Sequence, residues 1–189
     1  MARAPAKKLE KPGKGPKEPG RKPRDPESSL RIGGRLALDL DRHIPVLLVF
    51  LSNKFTNGTS QIYRRHFGVG VIEWRCMALL IVEPWISPNR ICQVIGLDKA
   101  AVSRAIRTLE ESGLVRVRSN SQRSRFLEVA LTEKGAALHD RIVQVAFERE
   151  RRLTADLGPE EREVLIRALK KMLARIDSVN GPIVIPPEN

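Results

Sequence analysis

A chain of 189 residues with 41% hydrophobic content suits one domain plus extensions, and its net charge of +12 points first to a polyanion such as nucleic acid, with an anionic membrane surface or plain solubility as other fits. Aromatic content of 4% disfavours a single-strand binder that stacks bases on rings. The longest clean apolar run, Ile44 to Leu51, has eight residues, well short of the ~18 of a membrane span, the basic N-terminus leads into no signal-peptide core, and Cys76 and Cys92 make no disulfide framework, so a cytoplasmic protein without a membrane partner is expected.

Residues 1–30 hold nine Lys or Arg, four Asp or Glu and six prolines with almost nothing apolar, which predicts a mobile basic tail. Such a tail suits an arm along DNA phosphates or a merely solvated extension. A first helix is expected from near Asp41, with Pro45 in its first turn and Leu48, Leu51, Phe55 and Ile62 at helical spacing. Asn57-Gly58 interrupts that pattern and marks a place for a kink, and Gly68 and Gly70 end it. A second helix runs from about Val71 to Val82, where Pro84 stops it.

The next stretch, Cys92-Gln-Val-Ile-Gly96-Leu-Asp98-Lys-Ala-Ala-Val102-Ser103-Arg104, is the most informative in the chain. Pro88 opens a short helix, small Cys92 lets a neighbouring helix approach, and Gly96 can take the left-handed conformation that ends it. Asp98 caps a following helix to about Ser112, and Val102 fills the angle between the two. This is the pattern of a helix-turn-helix, whose second helix enters the DNA major groove. Val115 and Val117 then alternate with Arg116 and Arg118 before a polar loop, Ser119 to Ser124, and Leu127, Val129 and Leu131 alternate beyond it, predicting a hairpin wing. Thr132 caps a helix to about Leu157, and Pro159 opens a last helix with the apolar stripe Val164, Leu165, Leu169, Met172 and Ile176. Residues 181–189 read as a tail whose Ile183-Val184-Ile185 run packs on a partner subunit or on its own core.

The element order, with Gly70-Val-Ile-Glu-Trp74-Arg75, Asp98-Lys-Ala-Ala-Val-Ser-Arg104, Leu109-Glu-Glu-Ser-Gly113-Leu114-Val115 and Leu131-Thr132-Glu133-Lys134-Gly135, resembles the MarR family of transcriptional regulators over about residues 36–178. The fold class expected is mainly α with a small β-wing: a winged helix-turn-helix whose N- and C-terminal helices form a dimerisation layer. The resemblance divides the chain into the tail 1–30, a dimerisation helix 36–70, a DNA-binding domain 71–132, dimerisation helices 133–180 and the tail 181–189. It implies a homodimeric repressor on a pseudo-palindromic operator, released by a small, often aromatic or otherwise lipophilic, organic anion, a class that includes acyl-CoA esters. Family wings often carry Asp-x-Arg near the tip. Here those places hold Arg123 and Arg125, so the orienting acid is missing and the wing is more basic.

On the recognition helix Val102, Ile106 and Leu109 belong to the core, leaving Lys99, Ala100, Ser103, Arg104 and Arg107 for DNA. Arg104 is the expected base reader because its fork matches guanine O6 and N7. Ser103 suits a base or a phosphate, Ala100 a thymine methyl, and Lys99 and Arg107 phosphates, unless Arg107 only pairs with Glu110 or Glu111. Arg118, Arg123 and Arg125 complete the interface from the wing. By position in the family, Arg42, His43, Trp74 and Arg75 line an effector pocket, although a tryptophan such as Trp74 is more often core and a histidine such as His43 more often a helix-end surface residue. His43, His66, His139 and the cysteines show no close metal-ligand spacing, and no catalytic constellation or cofactor loop is present, so neither an enzyme nor a cofactor is expected. Two other readings are a sequence-tolerant architectural DNA binder and a protein–protein winged-helix module. The basic residues of the recognition helix argue against the second.

Overall fold

A computed structural model describes residues 25–119 and 127–185. It divides into two compact units, one ending at Phe55 and the other beginning at Thr56.

The first unit opens with a hairpin that the sequence reading passed over. Strands β1 (Ser29–Ile32) and β2 (Arg35–Leu38) pair antiparallel, Ser29 opposite Leu38 and Ile32 opposite Arg35. Gly33 and Gly34 turn the chain with φ of +55° and +79°, the pair of positive values that a two-residue turn requires. β1 therefore begins inside the stretch expected as tail. Asp25 holds Arg31 through two hydrogen bonds of 2.8 and 3.0 Å. Leu30, Ile32, Leu36 and Leu38 are all exposed.

Helix α1 (Ile44–Phe67) follows a turn in which the His43 N–H donates to the Asp39 carbonyl at 2.8 Å. It runs on through Asn57-Gly58 without a break. Gly58 lies against Arg149, where a β-carbon would meet Nη2 at 3.6 Å, and Arg149 donates to Thr59 Oγ1 at 2.9 Å. Side-chain support from a neighbouring helix thus offsets the poor helix propensity of this pair. Before Phe55 the helix leaves Leu47, Leu48, Phe50 and Leu51 exposed, Leu51 at 51%.

The second unit packs helices α2 (Val71–Leu80), α3 (Pro88–Ile95) and α4 (Lys99–Glu111) with the ribbon β3 (Val115–Ser119) and β4 (Leu127–Leu131) and helix α5 (Glu133–Leu153). Met77, Leu80, Ile91, Val102, Leu109, Val115, Val129 and Ile142 fill the middle. Each such side chain contributes about 1.5–3 kcal/mol by leaving water. Val115 lies opposite Leu131 and Arg118 opposite Glu128 in the ribbon. The Leu-Thr-Glu-Lys-Gly segment locks α5 to the end of α4. Thr132 Oγ1 accepts from the Gly135 N–H at 3.0 Å and donates to the Gly113 carbonyl at 2.8 Å, while Lys134 Nζ donates to the Ser112 carbonyl at 2.8 Å. A β-carbon on Gly135 would land on the Leu114 carbonyl oxygen, which is why this position takes glycine.

Helix α5 ends at Leu153, earlier than expected, and helices α6 (Pro159–Leu173) and α7 (Ile176–Val179) follow. Ile176 therefore falls in α7 and not on the α6 stripe. α6 buries none of its residues, and Val164, Leu165, Met172 and Leu173 remain exposed.

Candidate nucleic-acid interface

Local capping builds the helix-turn-helix. Ser87 Oγ accepts from the Arg90 N–H at 3.2 Å and Pro88 takes the first position of α3. Gly96, at φ +68°, closes that helix with its N–H on the Cys92 carbonyl at 2.9 Å. Asp98 Oδ1 accepts from the Ala101 N–H at 2.8 Å and starts α4. That bond, aided by the Ala100 N–H and the Arg104 charge, holds the Asp98 carboxyl below its usual value of 3.8.

The capped helix sorts its residues cleanly. Ala101, Val102, Ala105, Ile106 and Leu109 are buried. Lys99, Ala100, Ser103, Arg104, Arg107 and also Thr108 are exposed on the other side. All five residues expected at DNA thus share one exposed face, four of them in the first two turns at the positive end of the helix and Arg107 one turn further on. Among the described residues no ion pair joins Arg107 to Glu110 or Glu111.

On the wing, Arg118 is the one expected DNA contact among the described residues. Arg118 Nε and Nη2 reach Glu128 Oε2 at 3.0 and 2.9 Å, and the guanidinium lies 3.8 Å from the centre of the Trp85 ring. Arg116 approaches the same ring at 4.9 Å. Arg118 is therefore engaged inside the wing. Trp85 and Glu128 escaped the sequence reading. The ribbon register that places Arg118 opposite Glu128 follows from pairing Val115 with Leu131, so the carboxylate could have been found. Trp85 lies between two prolines and carries no periodic signal. Arg123 and Arg125 lie outside the described residues.

The expected effector residues fall into different surroundings. Arg42 and His43 line a cleft of about 430 Å³ with Glu27, Ser28, Ile44 and Pro45, all in the first unit. His43 Nδ1 is buried there without a hydrogen bond. Trp74, in the second unit, is a packing residue: it meets Tyr63 edge-on at 5.8 Å and stacks on His139 at 5.3 Å. Arg75 donates to Thr56 Oγ1 at 3.3 Å. Cys76 is fully buried, and burial pushes its thiol up to about 12, with Glu73 and Cys92 adding to the rise. It stays protonated at neutral pH, unlike an oxidant-sensing thiolate. No three His, Cys, Asp or Glu side chains gather as a metal site among the described residues. No described helix is long and apolar enough to cross a membrane.

A capped helix-turn-helix followed by a two-stranded wing defines the class: a winged-helix, DNA-binding transcriptional regulator. Comparisons with known proteins narrow it. The MarR family model matches residues 67–125. The structure superposes with a TM-score of 0.70 on a MarR/EmrR family transcriptional regulator from Acinetobacter sp. ADP1, at 34% identity over 75% of this chain and 99% of that one. An uncharacterized HTH-type transcriptional regulator of Bacillus subtilis, YdgJ, is 30% identical over 117 residues, 60% of this chain and 70% of that protein. The HTH-type transcriptional regulator PetP of Rhodobacter capsulatus is 27% identical over 126 residues, 67% of this chain and 75% of its own length. The chain belongs to the MarR family, whose members are transcriptional regulators and not enzymes.

Proposed function

We propose that this regulator is a homodimeric repressor that reads a pseudo-palindromic operator and leaves it on binding a small organic anion. The exposed face of α4 carries this reading. Lys99, Ala100, Ser103, Arg104 and Arg107 project together from a helix whose opposite side is locked into the core. Arg104 reads a guanine, Ser103 and Ala100 meet neighbouring edges, and Lys99 and Arg107 hold phosphates. Arg123 and Arg125 supply the wing's contacts.

Exposed apolar side chains support a second subunit. Residues 36–70 and 133–180 are the dimerisation segments in this reading, and 71–132 the DNA-binding one. Leu47, Leu48 and Leu51 on α1, and Val164, Leu165 and Leu173 on α6, face solvent in the single chain, Leu173 at 69%. Apolar exposure on this scale marks an association surface. The Arg42 and His43 cleft favours an anionic effector, since it offers a guanidinium beside a buried, unpartnered ring nitrogen.

Competition binding tests the reading. The full chain should prefer a duplex selected from its genome over random DNA by 10³-fold or more. A ratio below about a hundredfold favours the architectural alternative. Thermal-shift screening of aromatic acids and their coenzyme A esters, repeated with Arg42→Ala, tests the effector. A stabilising compound should release the duplex and lose its effect in the variant.

A further inference from the structure

The loop between α2 and α3 holds the one non-glycine residue with positive φ among the described residues, Trp85 at +62°. A bulky side chain rarely adopts that backbone and keeps it only where its surroundings impose it. Pro84 restricts the entry to the loop. The Ile86 carbonyl accepts from the Val129 N–H at 2.9 Å, tying the exit to the wing. Arg90 closes the loop on Glu83 through two hydrogen bonds of 3.0 and 2.9 Å. The imposed backbone delivers the face of the indole ring to the Arg118 guanidinium, whose Nε and Nη2 are taken by Glu128.

We infer that Trp85, Arg118 and Glu128 form a latch that fixes the angle of the wing, with Arg118 as a positioning residue and not a phosphate contact. The inference rests on the reading above that the wing meets DNA. A two-stranded ribbon is marginally stable by itself, so its pose needs an external hold. The family's orienting acid is replaced by Arg123 in this sequence. The latch places the hold one pair short of the loop-side end of the described ribbon, across three segments of chain: the loop before α3, β3 and β4.

A double-mutant cycle on the full chain tests this, with a selected duplex as ligand. Trp85→Gly accepts φ +62° without strain, so the variant stays folded, and its melting curve checks that. Trp85→Gly and Arg118→Ala should each weaken binding about three- to tenfold. The double variant should lose no more than the stronger single one, and Trp85→Tyr should restore most of the affinity. Amide exchange in β3 and β4 should speed up in Trp85→Gly without DNA. Additive losses overturn the latch, as does Arg118→Ala alone lowering the salt slope by about one unit, the mark of a phosphate contact. Unchanged affinity in every variant also overturns it. If the wild-type chain prefers no duplex, the function proposed above fails, and unchanged wing exchange in Trp85→Gly then decides against the latch independently.

Discussion

Single residues on α4 divide between the core and an exposed face. Arg104 is exposed in the second turn after the Asp98 N-cap, and its charge helps lower the Asp98 carboxyl. Arg104→Ala should weaken operator binding by about 1–3 kcal/mol, read by gel shift at fixed salt. Unchanged affinity would remove it from the interface. Cys76 gives a second residue-scale expectation. Its buried, protonated thiol should resist alkylation in the native chain and react only on unfolding, which mass spectrometry of labelled peptides would read. The residues of α4 were legible in the sequence because a 3.6-residue period sorts them. Arg118 was not, since alternation along a strand says which side a residue takes but not what stacks on it there.

Elements in this chain are fixed at their ends. Thr132, Gly135 and Lys134 hold α5 against the end of α4, and Gly135 leaves no room for a side chain beneath the Leu114 carbonyl. Gly135→Ala should destabilise the fold by about 1–3 kcal/mol, since the backbone must move to admit the methyl group. Chemical denaturation measures it. Asp98 makes a cap that depends on acidity. Its native carboxyl lies below the usual 3.8, so the cap's stabilisation is complete above that value and fades as pH falls through the lowered one. Asp98→Ala should therefore melt below the wild type at pH 7, and the gap should close in acid. The hairpin at 29–38 shows what was overlooked. Leu-Arg-Ile-Gly-Gly-Arg-Leu-Ala-Leu carries a two-residue glycine turn between alternating apolar positions, a hairpin signal masked by the proline-rich, basic stretch before it. At Asn57-Gly58, marked in the sequence as a place for a kink, the helix is continuous for the opposite reason: Arg149, some ninety residues away in sequence, supports it there, and no local pattern announces it.

At the scale of the molecule, a net charge of +12 suits a polyanion, and the exposed apolar side chains of α1 and α6 are the basis of the dimer proposed above. Sedimentation at micromolar concentration should give a species of twice the 21.2 kDa of one chain. Leu165→Glu with Leu173→Glu should shift it to the single chain and weaken operator binding about a hundredfold or more, as two half-sites lose their physical link. The two tryptophans carry a separate consequence. Trp74, partly buried, stacks on His139, whereas Trp85 lies beneath two arginines of the ribbon. Ultraviolet emission from this protein is thus the sum of a helix-borne lamp beside an imidazole and a peripheral, loop-borne one beneath guanidinium groups. Subtracting the spectrum of a chain lacking the peripheral indole isolates a built-in optical gauge of ribbon motion, with no dye attached.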